Sequence, residues 1–134
     1  MNALTDGQAD FTLAFRRLGD AAADPAADAE VRRLFEGKPE AFDDWVVRWR
    51  QRLAAEPMDS AARKAAMDAV NPAYIPRNHR VEAALTAAAE REDYAPFEEL
   101  LTVLAKPFET RPEFAAYEEP PPPDQRVYRT FCGT

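Results

Sequence analysis

The chain has 134 residues, a formal net charge of −7 and one cysteine, and 46% of its residues are hydrophobic. This length suits a single modest core, and this composition excludes a wholly disordered chain. The acidic balance argues against general affinity for nucleic acid or anionic lipid. The sequence shows no signal peptide and no apolar run near the roughly 18 residues of a membrane span. We therefore expect a cytoplasmic protein whose partners include neither nucleic acid nor membrane.

Apolar residues recur at helical spacing along most of the chain, and there are only four glycines. The pattern predicts an all-α fold of five to six short helices joined by proline-marked turns. Gly19 is expected to end the first helix, and residues 20–27 are expected to form a loop. The predicted helices span approximately residues 5–18, 28–35, 39–55, 60–70, 77–92 and 93–105.

The third predicted helix carries the strongest amphipathic pattern. Its apolar residues fall at relative positions 0, 3, 4, 7 and 11, which line one face of a helix; they are Phe42, Trp45, Val46, Trp49 and Leu53. We interpret Phe42, Trp45 and Trp49 as core anchors, since each large aromatic side chain would bury ~150–250 Å². The alternative is an aromatic surface that binds a ligand or partner.

The three later helices have weaker apolar faces. For the helix over 60–70 the expected inward residues are Ala62, Ala66, Met67 and Val70. For the last two helices they are Val81, Ala84, Leu85 and Ala88, followed by Phe97, Leu100, Leu101 and Leu104. Asp93 is expected to cap the last helix.

The composition changes after residue 106. Residues 113–117 have the pattern of a single helical turn, and four consecutive prolines follow at 120–123. Such a run favours a stiff, extended polyproline II arm, which serves either as a spacer or as a docking ligand. The sequence therefore predicts a helical domain over 1–106 and an extended, proline-rich tail over 107–134.

The segment from Asn71 to Arg80 separates two helical patterns. Pro72 and Pro76 exclude a continuous helix, and Asn78 is a candidate cap for the helix that follows. We interpret the segment as a packed turn. Arg77 and Asn78 could hold an anion near a helix N-terminus, although a structural hydrogen-bonding role is favoured.

The pattern Asn71-Pro72-x-Tyr74-x-x-Arg77-Asn78 resembles a segment in the C-terminal part of the selenoprotein O family, which comprises pseudokinase-like enzymes that transfer AMP from ATP to protein hydroxyls. Three further stretches agree in order: Asp10 to Leu18, Phe42-Asp43-Asp44-Trp45 with Trp49-Arg50 and Leu53, and Phe131-Cys132-Gly133-Thr134.

The resemblance implies that the chain is the helical extension behind the C-lobe of a kinase-like fold. It implies ATP and Mg²⁺ as cofactors of the parent enzyme, and serine, threonine or tyrosine of proteins as acceptors. The segment would scaffold the kinase-like N-terminal portion, its partner in cis or in trans, and would present its C-terminal cysteine.

Catalytic and metal-binding motifs are missing from the sequence. The four glycines are isolated, so there is no Gly-rich phosphate loop, and the kinase-type lysine, catalytic loop and Asp-Phe-Gly element are also missing. One histidine and one cysteine do not assemble a zinc site. We therefore expect no catalytic residue, metal site or bound cofactor in this chain, and no AMP transfer by it alone.

Cys132 is the one candidate for covalent chemistry. A lone cysteine is commonly a quiet, buried hydrophobe, but a position next to the end of the sequence given, with Arg126 and Arg129 nearby, favours a reactive thiolate. In the family this position is thought to pair reversibly with a cysteine of the kinase-like body. This chain has no second cysteine, so the redox partner would be another polypeptide or a small thiol. The alternative function is a stand-alone helical interaction domain from a truncated or split gene, with no catalysis of its own.

Overall fold

The computed structural model describes residue 4 and residues 7–125, and within that part of the chain the fold is all-α. The described part contains six α-helices and three 3-10 helices and no strand, which confirms the predicted fold class. The chain folds as two compact units, Met1–Ala73 and Tyr74–Thr134. The α-helices are α1 (Phe11–Ala23), α2 (Asp28–Arg33), α3 (Pro39–Ala55), α4 (Ser60–Asp68), α5 (Asn78–Arg91) and α6 (Ala95–Leu104).

Helix α1 begins where Asp10 caps it, because the Asp10 carboxylate accepts a hydrogen bond of 2.8 Å from the backbone N–H of Leu13. The predicted end at Gly19 is wrong: the helix continues to Ala23. The predicted loop over 20–27 is therefore largely helical, with a 3-10 helix at Pro25–Ala27 completing it. Alanines at 21 and 22 are buried and favour the helix strongly enough to carry it past the glycine.

Gly19 has a packing role instead of a terminating one. A Cβ atom at this position would lie 2.8 Å from Oδ1 of Asp68, on α4. Helices α1 and α4 pack against each other. The absence of a side chain at Gly19 thus allows a close approach between the two helices.

The predicted inward face of α4 is wrong for most of its residues. Ala62 and Ala66 are exposed and Val70 is 71% exposed, whereas Met67 is partly buried, as are the polar residues Lys64 and Asp68. The Lys64 ammonium bonds the carboxylates of Asp20 and Asp68, both at 2.7 Å. Burial opposes the charge, but the bonds to Asp20 and Asp68 prevail and raise the pKa of Lys64. This face of α4 is polar because its partners on α1 are polar.

The hydrophobic core of the first unit forms around α1, α2 and α3. Its buried members are Leu18, Ala21, Val31, Phe35 and Phe42. Helix α3 spans the predicted residues, and Pro39 occupies its first turn, where a missing N–H costs nothing. The core residues also line an apolar cavity of about 90 Å³ beside Trp45.

In the second unit, α5 packs against α6. The buried residues are the small Ala84 and Ala87 on α5, with Leu100 and Val103 on α6. Three predicted inward residues are wrong, since Leu85 is 50%, Leu101 54% and Phe97 39% exposed. Apolar residues extend around more of each helix than one neighbour covers, so periodicity alone did not select the buried stripe.

The ends of these helices also differ from expectation. Arg77 is the N-cap of α5 and Asn78 is its first helical residue, so the prediction that Asn78 caps the helix is wrong. Glu92 ends α5 in the left-handed region at φ 54°. Before α6 the Asp93 carboxylate accepts a hydrogen bond of 3.1 Å from the N–H of Ala95, although Tyr94 occupies the cap position.

The segment after α6 contains a 3-10 helix at Pro112–Tyr117, where a single helical turn was predicted. Residues 120–122 have no regular secondary structure. Pro123, predicted as part of the extended arm, begins a second 3-10 helix that ends at Gln125.

Candidate functional site

Tyr74 is the central buried residue of the segment singled out in the sequence, with 1% of its surface exposed. Its hydroxyl accepts a hydrogen bond of 2.7 Å from the backbone N–H of Arg111 and donates one of 3.1 Å to the carbonyl of the same residue. Its own backbone N–H donates to the carbonyl of Pro107 at 3.2 Å. One tyrosine therefore satisfies both backbone groups of Arg111.

The Arg111 side chain fixes the same region from the other direction. Its guanidinium donates to the carbonyl of Val103 at 2.6 Å and to that of Thr102 at 3.3 Å, at the end of α6. The guanidinium also lies over the rings of Tyr74 and Phe114, with centroid distances of 5.4 and 4.6 Å. A planar cation between two rings and two carbonyls is a site that lysine cannot reproduce.

Two arginines at the start of α5 hold the residues that follow. Arg77 is buried, with 6% exposed, and donates a hydrogen bond of 2.7 Å to the carbonyl of Glu118. Arg80 donates to the carbonyl of Ala116 at 2.8 Å and lies 5.1 Å from the ring centroid of Tyr117. We call Tyr74, Arg77, Arg80 and Arg111 the arginine clamp. Its hydrogen bonds hold residues 107–118 against the start of α5 and the end of α6.

The earlier residues of the segment belong to the first unit. The Asn71 carbonyl accepts a hydrogen bond of 3.0 Å from Arg16, and a second bond of 3.0 Å joins Arg16 to the carbonyl of Asp68. The Asn71 N–H donates to the carbonyl of Met67 at 2.9 Å. Pro72 is partly buried. The structure thus assigns two backbone hydrogen bonds to Asn71.

Asn78 is exposed, and its neighbour His79 is partly buried. Both line a shallow pocket of about 230 Å³ together with Arg77, Pro121 and Gln125 among others. Burial first, and then the positive charges of Arg80 and Arg77, lower the pKa of His79. In this second unit, burial and Glu99 raise the pKa of Tyr117 against the opposing charge of Arg80.

Of the predicted core anchors, Phe42 is 1% exposed, and Trp45 and Trp49 are partly buried against the same cluster. The Trp45 and Trp49 rings stack at 5.1 Å, and Arg50 lies 5.1 Å from the centroid of Trp49. Arg50 also pairs with Asp28. The partly buried Trp49 ring is thus already contacted by the Arg50 guanidinium of the same chain.

Cys132, the redox candidate, lies outside the described residues. Among the residues that are described, no three His, Cys, Asp or Glu side chains group as a metal site would require. No described helix combines the length and the apolar character that spanning a membrane requires.

The sequence interpretation missed Arg16, Arg80 and Arg111. Arginines that donate to backbone carbonyls leave no periodic pattern in the sequence. Every residue has a backbone carbonyl, so no particular residue type marks the acceptor. The only available signal was the presence of Tyr74 between two prolines, which suggested a packed segment but not its partner.

Comparison with known proteins identifies the family. A family model described as protein adenylyltransferase SelO matches residues 1–105. The chain belongs to the SelO family. The protein nucleotidyltransferase YdiU of Rhodopseudomonas palustris strain CGA009 is 63% identical over 134 residues, and that of Bradyrhizobium diazoefficiens is 62% identical over 134 residues. In both cases the whole chain is covered, but only 27% of the relative.

The matched part is the C-terminal 27% of those relatives. This confirms the family resemblance given by the Asn71–Asn78 pattern. The arginine clamp of this chain therefore lies in the part that corresponds to the C-terminal 27% of these nucleotidyltransferases.

Proposed function

We propose that this chain is the C-terminal segment of a protein adenylyltransferase that transfers AMP from ATP to serine, threonine or tyrosine of protein substrates in the cytoplasm. The observation that carries the proposal is the match of the whole chain to the C-terminal 27% of protein nucleotidyltransferases. ATP and Mg²⁺ would bind the kinase-like portion, where the family's phosphate-binding motifs are expected. The chain itself supplies no such motif.

The contribution of this segment is structural. The arginine clamp fixes residues 107–118 on the second unit through five side chain-to-carbonyl hydrogen bonds of the arginines. Charge-assisted bonds of this kind are stronger than neutral ones. Residues 107–118 therefore have a defined position within the second unit.

Reconstitution tests the adenylyltransferase proposal. The chain would be co-expressed with the preceding portion of the R. palustris relative, and incubated with labelled ATP, Mg²⁺ and a protein lysate. We expect labelled protein from the pair and none from the chain alone. Robust labelling by the chain alone, or no labelling by a pair that co-purifies, would contradict the proposal.

The proposed role of Cys132 is a reversible disulfide with a cysteine of the kinase-like portion. Both thiols lose a proton and together two electrons, and a disulfide oxidant such as oxidised glutathione is reduced to two thiols. We expect a cross-linked species on a non-reducing gel of the oxidised pair. Cys132→Ser should abolish that species, and its persistence in the variant would rule out Cys132.

A further inference from the structure

Helix α6 carries two apolar stripes, although a single stripe is enough to pack against the core. The inner stripe consists of Pro96, Leu100 and Val103, at relative positions 0, 4 and 7, and Leu100 and Val103 are only 6% and 0% exposed. The outer stripe is displaced by one residue and consists of Phe97, Leu101 and Leu104. In it Phe97 is 39% and Leu101 54% exposed.

The outer stripe has the apolar pattern of a buried helix face, although Phe97 and Leu101 are exposed. Residues separated by three and four positions lie on one side of a helix, so the three side chains form a continuous row. A surface helix of a globular domain normally has one apolar stripe and a polar opposite side. Large contiguous apolar patches are rare on monomeric soluble proteins and mark interaction sites, so a continuous apolar row on an accessible helix face is a candidate interaction surface.

The charges around this row indicate the chemistry of its partner. Glu98, one residue from Phe97, lies at the edge of the row, and residues 92–105, which include α6, contain four acidic side chains and no basic one. Two copies of such a surface would bring like charges together. A partner with an apolar groove and a basic rim would fit both the row and its border.

The curated relatives supply a place for such a partner, because about three quarters of each relative has no counterpart in this chain. We propose that the outer stripe of α6 is the surface by which this segment docks on the kinase-like portion of the SelO protein, in an apolar groove edged by basic residues. The inference rests on the proposed function, since it names the docking surface for the same partner.

Co-purification tests the docking surface. The chain would be co-expressed with a tagged preceding portion of the R. palustris relative, as wild type and as Leu101→Glu. A charge in the centre of an apolar interface should reduce recovery of the chain at least about tenfold. Val47→Glu is the matched control, because Val47 is a helical, apolar residue in the first unit with 57% exposure, and its recovery should equal that of the wild type.

Thermal unfolding of each purified variant should match the wild type, since both positions are more than half exposed. Equal recovery of Leu101→Glu and wild type would overturn the docking surface while leaving the proposed function intact. Equal losses in Leu101→Glu and Val47→Glu would also overturn it. Failure to recover the wild-type chain would overturn the proposed function together with the inference. A wild-type dimer that Leu101→Glu converts to a monomer in light scattering would assign the surface to a second copy and overturn the proposal.

Discussion

The two compact units of the chain are stabilised in different ways. The first, Met1–Ala73, has a core of large side chains in which Phe35, Phe42 and Trp45 form a row with centroid distances of 5.3 and 6.0 Å. In the second, Tyr74–Thr134, the buried positions on α5 are alanines, and residues 107–118 are held by the arginine clamp. Burial of large apolar side chains is sensitive to volume, whereas a clamp on carbonyl groups is sensitive to hydrogen bonding. Different kinds of substitution should therefore destabilise the two units.

The largest effect is expected from Phe42→Ala. Phe42 is 1% exposed, contacts the other core aromatics and lines the existing cavity, so truncation enlarges that cavity. Removal of a buried phenylalanine costs about 3–5 kcal/mol of the free energy of unfolding, much of the total for a small domain. Urea unfolding monitored by tryptophan fluorescence measures it, since both tryptophans belong to this unit. Val47→Ala, at an exposed position, is the control, and a comparable loss there would contradict the assignment of the core.

Arg16→Met tests whether the first unit is also stabilised by an arginine that donates to backbone carbonyl groups. Arg16 is 7% exposed and donates to the carbonyls of Asp68 and Asn71. Methionine keeps much of the apolar stem but leaves both carbonyls without this donor, at a cost of about 1.5–3 kcal/mol. Urea unfolding should show the loss. Arg17→Met, at a more exposed position on the same helix, should change stability by less than about 0.5 kcal/mol.

The same contrast explains which features could be read from the sequence. Helix α3 was predicted with its observed bounds because Pro39 begins it and because its large apolar residues recur on one face. The inward residues of α4 were assigned incorrectly because Lys64 and Asp68 face α1, where Arg16 and Asp20 provide opposite charges. A partner of that kind is a tertiary property, which periodicity does not contain.

Gly19 and Tyr74 illustrate which contacts could not be predicted from the sequence. Gly19 was interpreted as a helix end, although its lack of a side chain serves the approach of Asp68 instead. Tyr74 was singled out within the Asn71–Asn78 pattern and is buried in the structure, but its partner Arg111 is 37 residues away. Nothing local in either stretch relates a tyrosine hydroxyl to a backbone amide so far along the chain.

Tyr74→Phe should weaken the clamp without disturbing the first unit. The variant retains the buried ring and loses only the hydroxyl that bonds the N–H and carbonyl of Arg111. Because Arg111 is partly exposed and water can replace some of the loss, we expect a cost of about 1 kcal/mol. Hydrogen exchange should accelerate in residues 111–118, while the amides of α1 keep wild-type rates. Faster exchange in α1 as well would show that the two regions do not respond independently.

The smallest effect is expected from His79→Gln, which tests the electrostatics at the start of α5. Burial and the charges of Arg80 and Arg77 lower the pKa of His79 from its ordinary value of 6.5, and its Nδ1 has no hydrogen-bond partner among the described atoms. The unfolded chain therefore binds the proton more tightly than the native chain. Stability contributed by neutral His79 is present above pH ~6.5 and declines as the pH falls below that value. The free energy of unfolding of wild type should fall more steeply from pH 7.5 to 5 than that of the variant. Because His79 is the only histidine, one imidazole resonance reports its titration by NMR. An NMR titration midpoint above pH 6.5 would contradict the conclusion that the surroundings of His79 disfavour its charged form. An equal pH dependence of the free energy of unfolding in the two proteins would contradict it as well.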